Sequence, residues 1–146
     1  MNPDKIYLTQ TDTTVGFLSV DSKKLAMAKE RDEKQPFLIC VDTFSKLKKL
    51  TRIPKLHKKK IRRTLKISFL YPNKKAIRII KDPYHSYFLK EFDFLYSTSA
   101  NKNRELFDPN YAYFQADIVI EDCRGLYEGK ASNILKLGKK RIQKLR

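Results

Sequence analysis

In 146 residues the sequence holds two cysteines, two histidines, four glycines and no tryptophan. Cys40 and Cys123 are too few for a disulfide framework, and no Cys-x-x-Cys pair or Cys/His cluster suggests a zinc site. No apolar run approaches the roughly 20 residues a membrane helix needs, and the opening MNPDKIYL has no apolar stretch of the kind found in a secretory signal. These absences predict a soluble protein of a reducing, cytoplasmic compartment, without membrane contact. His57 lies in a basic stretch and His85 in a helix, neither with a partner for metal ligation, so surface or packing roles are expected. Cys40 and Cys123 read as small buried apolar residues.

What is present is enough for a packed core. Hydrophobic residues make up 41% of the chain, with nine Phe and eight Tyr, which excludes a disordered basic tail. The length suits one domain, residues 1–146, able to bury about 70% of its unfolded surface. The net charge of +16 is unevenly spread: Lys46 to Lys66 carries eleven Lys/Arg and no acid, and Lys136 to Arg146 adds six more, again without an acid. Such stripes attract polyanions, so nucleic acid, nucleotide phosphates or anionic lipid are candidate partners, against the plainer reading of a solvated Lys-rich face.

The pattern along the chain alternates short strands and helices without a linker. Extended segments are expected at Ile6–Leu8, Val15–Ser19, Phe37–Val41, Leu65–Leu70, Ala76–Ile80, Phe94–Ser97, Ile118–Ile120 and Asn133–Leu137. Helices are expected from Asp21 or Ser22 to about Glu30, from Asp42 or Thr43 to about Leu50, after Pro54, and from about Pro83 to Phe92. Together they predict a mixed α/β sheet.

Three stretches place chemistry at the ends of these elements, where open α/β sheets bind ligands. Thr11-Asp12-Thr13-Thr14 sets hydroxyls and a carboxylate on a turn; Lys29 and Arg31 pair two cations at a helix end; Ser97-Thr98-Ser99-Ala100-Asn101 sets hydroxyls and an amide at the end of a strand. Each alone is explained by turn formation or capping. In order and spacing, however, they resemble the YrdC/TsaC family of threonylcarbamoyl-AMP synthases. Gln10–Phe17 resembles that family's PTDTVYGL, Lys29–Pro36 its KxRPxxKP, Ala76-Ile77-Arg78 its AVR strand and Ser97–Asn101 its STSAN. Ala131-Ser132-Asn133 resembles its PST element, and Lys144-Leu145-Arg146 supplies its late Arg.

The resemblance implies a YrdC-like twisted mixed sheet with flanking helices around a positively charged cavity. The implied reaction joins L-threonine, bicarbonate and ATP into threonylcarbamoyl-AMP and pyrophosphate, with Mg²⁺ accompanying ATP. Other proteins then pass the threonylcarbamoyl group to an adenosine of tRNA. Thr13, Arg78 and Ser132 would hold threonine, the Arg78 guanidinium gripping both carboxylate oxygens. Lys29 and Arg31 would face the phosphates as catalytic cations, Ser97, Ser99 and Asn101 would line the nucleotide cavity, and Arg146 would close it.

The sequence also departs from the family pattern. Asp32 replaces the Pro after the Lys-x-Arg pair, and the second Lys falls on Gln35, with adjacent Lys34 expected to swing in toward ATP. The family's WPGPLT is reduced to Ile61-Arg-Arg-Thr-Leu-Lys66, and its second Gly-rich segment to Lys102-Asn-Arg104. Two functional classes therefore stand: a compact synthase, or a catalytically degenerate module that binds RNA or nucleotide. In either, the basic block and tail are expected to form a positive surface continuous with the cavity mouth, able to hold tRNA or other RNA.

Overall fold

The computed structural model describes residues 2–146; Met1 lies outside them. The strands are β1 (Tyr7–Gln10), β2 (Val15–Ser19), β3 (Leu38–Val41), β4 (Ile67–Leu70), β5 (Ala76–Ile79), β6 (Leu95–Ser99), β7 (Ile118–Ile120), β8 (Asn133–Leu137) and β9 (Ile142–Lys144). The helices are α1 (Ser22–Lys29), α2 (Phe44–Leu50), α3 (Lys58–Arg63), α4 (Pro83–Leu89) and α5 (Pro109–Gln115). One mixed sheet joins the strands in the order β7-β1-β2-β6-β3-β5-β4-β8-β9. Among the described residues, no helix is long and apolar enough to cross a membrane.

Capping fixes the helices as the sequence leads one to expect. Asp21 accepts from Lys23 N at the start of α1, Thr43 from Lys46 N at α2, and Asp82 from His85 N at α4, where Pro83 fills the first turn. The Tyr71-Pro-Asn73 turn joins β4 to β5 as an antiparallel pair. Elsewhere the limits move. Strand β1 runs later than Ile6–Leu8, β4 begins at Ile67, and Phe94 stays outside β6, which continues to Ser99. Pro54 precedes a 3-10 turn at Lys55–His57 before α3, and α4 ends at Leu89 rather than Phe92. Helix α5 and strand β9 are additional to the sequence reading. The Asp108–Pro109 cap of α5 is readable, but its aromatic side chains blur the helical period, and β9 resembles a basic tail.

The two-residue period of the strands decides what each face of the sheet carries. On one face Leu8, Val15 and Phe17 pack under α1 and α5 through Leu25, Ala28 and Ala112. On the same face Ile39, Val41, Phe69 and Ile77 pack under α2 and α3 through Leu47 and Ile61. The alternate residues point the other way. Tyr7, Leu18, Cys40 and Leu95 meet Phe88 and Leu89 of α4, and Tyr7 meets the rings of Phe88 and Phe92 edge-on at 5.3 and 5.6 Å. Next to α4 on that face, Ser68, Leu70, Ala76, Arg78 and Ile134 are left to line an open cavity.

Burial pushes the Cys40 thiol up to about 11, in keeping with a packing role. Cys123 is exposed, contrary to expectation, because it lies in the loop after β7 rather than in a layer.

Candidate functional site

The cavity encloses about 510 Å³. Six cations line it (Lys29, Arg31, Lys74, Arg78, Arg104 and Arg146), and no Asp or Glu does. Nine of the ten residues singled out from sequence line this one space: Thr13, Lys29, Arg31, Arg78, Ser97, Ser99, Asn101, Ser132 and Arg146. The tenth, Lys34, does not. Its backbone N–H donates to Asp32 Oδ1 in a turn closed by Gln35 N to Asp32 O, which leaves the Lys34 side chain exposed.

Helix α1 delivers Lys29 through its C-terminus. Glu30 takes a left-handed conformation at φ 53°, and the N–H groups of Glu30 and Arg31 return to Met27 O and Ala26 O, ending the helix with Lys29 turned under the sheet. The Lys29 ammonium donates to Ser99 O at 3.0 Å, Asn101 Oδ1 at 3.1 Å and Ser99 Oγ at 3.3 Å. Only 4% of Lys29 is exposed. Burial, and then the charge of Arg31, lower its pKa to about 8. Arg31 stacks over the Phe37 ring at 4.5 Å and donates to Gln35 Oε1 and Pro36 O, each at 2.7 Å. Gln35, standing where the family motif has a cation, thus holds Arg31 in place instead of reaching the cavity.

The opposite wall is built on β5. Arg78 Nη2 donates to Asp12 Oδ1 at 2.9 Å in a buried ion pair, and Nη1 donates to Ser68 Oγ at 3.3 Å. Ser68 Oγ and Ser132 Oγ share a hydrogen bond of 2.9 Å. Arg78 Nε is buried without a partner. The guanidinium thus uses one N–H on each Nη, and the second N–H of each Nη and the Nε–H are not taken by these bonds. Burial would raise the Asp12 pKa, but contact with His85 and the Arg78 charge outweigh it and hold the carboxyl below its ordinary value.

Residues that sequence reasoning passed over complete this wall. His85 is buried, and its Nδ1 accepts from Asp12 N at 3.3 Å, so its packing role is against the Asp12 turn. Burial lowers its pKa, against the opposing pull of Asp12. Ser68 bridges Arg78 and Ser132, yet nothing in the sequence marks it apart from the two-residue alternation of β4. Arg124 donates to Gln10 O at 3.1 Å and Thr11 O at 3.4 Å while paired with Asp82 and Asp122, which ties the end of β1 to the cap of α4. Gly129 packs against the Thr13 carbonyl so closely that a Cβ could not be placed there, and its N–H donates to Thr14 Oγ1 at 3.0 Å.

The basic block does not reach this cavity. No residue from 46 to 66 lines it, because Leu47 and Ile61 anchor α2 and α3 to the other face of the sheet. The tail is divided: Leu145 and Arg146 line the cavity, whereas Ile142 packs with the α2–α3 face. Arg146 Nε donates to Ser132 O at 3.0 Å. His57, in the block, takes the packing role: it is buried, its Nε2 3.0 Å from Gly138 O, and joins the block to the β8–β9 turn.

A family model named Sua5/YciO/YrdC and described as telomere recombination matches residues 2–146. No curated protein matches the chain significantly by sequence. Among solved structures, Sua5 of P. abyssi complexed with L-threonine superposes with a TM-score of 0.81 at 18% identity, covering 98% of this chain and 50% of that one. E. coli YciO gives 0.75 at 14% identity, covering 98% and 82%. Full-length HypF in a phosphate- and nucleotide-bound form gives 0.77 at 14% identity, covering 98% and 27%. At these identities the likeness is one of fold, and the chain spans about half the length of the Sua5 structure.

Proposed function

The chain belongs to the Sua5/YciO/YrdC family, and we propose that it is an L-threonylcarbamoyladenylate synthase acting on L-threonine, bicarbonate and ATP. One observation carries this reading: motif residues from distant parts of the sequence converge on a single acid-free cavity of about 510 Å³. That volume lies within the roughly 300–1,000 Å³ of small-molecule sites. The L-threonine in P. abyssi Sua5 and the nucleotide and phosphate in HypF support the same ligand classes here.

In the proposed reaction the threonine amine adds to bicarbonate and water leaves, giving a carbamate. A carbamate oxygen then attacks the α-phosphorus of ATP as the bond to pyrophosphate breaks. Negative charge moves onto phosphate oxygens and the leaving group, so fixed cations provide most of the stabilisation and no nucleophilic side chain is required. The Arg78 guanidinium would meet the threonine carboxylate, with Thr13 and Ser132 beside it. Lys29 and Arg31 would face the triphosphate; Ser97, Ser99 and Asn101 would line the nucleotide pocket; Arg146 would close it. Magnesium would enter with ATP as part of the substrate, since among the described residues no cluster of three or more His, Cys, Asp or Glu forms a cage for it.

A second reading, a nucleotide- or RNA-binding module without adenylate chemistry, draws on one feature. Gln35 is spent on Arg31 and Lys34 lies outside, so the triphosphate end has one cation fewer than the motif provides. Incubation with ATP, threonine, bicarbonate and Mg²⁺ separates the two. Threonine-dependent pyrophosphate release is expected; ATP binding without release would favour the module, and absence of both would refute the synthase and the nucleotide-binding form of the module.

A further inference from the structure

Two of the six cations lining the cavity, Lys74 and Arg104, belong to no motif. Arg104 lies in the loop after β6, and that loop is fastened to the end of α1. Asn101 Oδ1 accepts from the Lys29 ammonium at 3.1 Å, while Asn101 Nδ2 donates to Lys102 O at 2.9 Å and Glu105 O at 2.6 Å. Asn103 N donates to Lys29 O at 3.2 Å, and Lys102 Nζ pairs with Glu30 at 3.0 Å. A turn closed by Glu105 N to Lys102 O at 2.9 Å has Asn103 and Arg104 at its centre, and Arg104 is left-handed at φ 66°. Glycine ordinarily takes that place in a turn, because a Cβ is strained there. Here the place holds a guanidinium that lines the cavity and, among the described residues, meets no carboxylate.

We propose that Arg104 is the cation for the terminal phosphates of ATP, standing in for the motif cation whose place Gln35 takes. The ligand rests on the synthase reading; the position rests on the geometry. Lys29 is buried, Arg31 half-buried and Arg104 exposed, so the three grade from the floor of the cavity to its mouth, on the side opposite Arg78. When the bond from the α-phosphorus breaks, its electron pair goes to pyrophosphate, the group that must leave toward solvent. A cation at the mouth meets that charge as it develops, and a planar fork of N–H donors can grip oxygens of two phosphate groups at once. Gln35 cannot supply the charge, being bonded to Arg31, and the Lys34 side chain is outside. Lys74, also exposed and left-handed at φ 66°, belongs to the turn between β4 and β5, beside Leu70 and Ala76 on the Arg78 wall. Arg146 is held on that wall as well, by Ser132 O. Of the cations without a motif, only Arg104 is fastened to the Lys29 corner.

The test is calorimetry with ATP, AMP and inorganic pyrophosphate, each with Mg²⁺ at fixed ionic strength, on the wild type, Arg104→Gln, Arg104→Gly and Arg104→Lys. Arg104→Gln and Arg104→Gly should bind ATP and pyrophosphate about threefold to tenfold more weakly, between the values of an exposed and a charge-assisted pair. Both should bind AMP within about twofold of the wild type, and Arg104→Lys should keep most of the ATP affinity. Glycine suits the left-handed backbone, so a loss that Arg104→Gly shares with Arg104→Gln is a loss of charge and not of the loop. In the release assay the KM for ATP should rise and that for threonine stay unchanged. Lys139→Gln, an exposed charge outside the cavity, should change neither. Equal ATP affinity in the wild type, Arg104→Gln and Arg104→Gly would overturn the proposal and leave the synthase reading standing. A loss for AMP as large as that for ATP would overturn the placement at the terminal phosphates. A wild type that binds no ATP would overturn the synthase reading and the proposal with it. The expected binding pattern without pyrophosphate release would support Arg104 and count against the synthase reading alone.

Discussion

Replacing Lys29 by Met tests the electrostatics of the cavity through a pH dependence of defined sign. The ammonium is buried among Ser99 and Asn101, and its pKa falls to about 8 because burial and Arg31 disfavour the charged form. A triphosphate placed against it would favour the charged form and raise that pKa. ATP should therefore bind tightest below pH 8, where Lys29 is already protonated, and weaken as pH rises above 8. If only the charged form binds, protonation drops from roughly nine-tenths at pH 7 to a tenth at pH 9, an affinity loss of about tenfold. Lys29→Met should bind ATP about tenfold to a hundredfold more weakly at pH 7, the value of a charge-assisted contact of roughly 1.5–3 kcal/mol, and should lose this pH dependence. Stability has the opposite slope. The folded pKa lies below the ordinary lysine value of 10.5, so the unfolded chain binds more protons between about 8 and 10.5 and the wild type gains stability over that window. Isothermal calorimetry with ATP at pH 7, 8 and 9, with urea unfolding of both proteins at pH 7 and 10, reads each effect. Parallel ATP affinities for wild type and variant across the pH range would refute the placement of the triphosphate at Lys29.

Arg78→Ala should weaken threonine binding about tenfold to a hundredfold by calorimetry. Because it strands buried Asp12 it should also cost about 3–5 kcal/mol of stability in urea unfolding, whereas Arg78→Lys, which can keep a charge beside Asp12, should be better folded yet still impaired for threonine. Lys34→Ala should leave ATP affinity within about twofold, since the side chain is outside the cavity; a tenfold loss in an ATP titration would show the turn at Asp32 rearranging around nucleotide. Gly129→Ala should force the segment before β8 off the Thr13 carbonyl, destabilising the protein by about 1–3 kcal/mol and raising the threonine concentration needed for half-maximal pyrophosphate release.

The strands and caps were legible in the sequence because they depend on neighbours a few residues away. Asp21, Thr43 and Asp82 each satisfy orphan N–H groups of their own helix. The apolar run Leu38–Val41 forms a buried strand wherever it is placed. The site was legible by another route, through short motifs whose residues came together in the cavity. What no local pattern could give was the use of those residues. Arg78 carries a guanidinium in any fold, but only the approach of the Asp12 turn and of Ser68 decides which of its N–H groups are taken. Lys34 and Gln35 are adjacent in sequence, Gln35 standing where the motif has its cation and Lys34 expected to swing in for it; the turn closed on Asp32 sends Lys34 to solvent and gives Gln35 to Arg31. The sequence likewise led to the expectation of a basic block and a basic tail joined at the cavity mouth. Their meeting on one edge of the sheet, with the block on the face opposite the cavity, follows from strand order and from the side to which Leu47 and Ile61 are drawn. Long-range strand pairing and the burial of an apolar face are properties of the assembled sheet, and they fix where a charge lies relative to a ligand site.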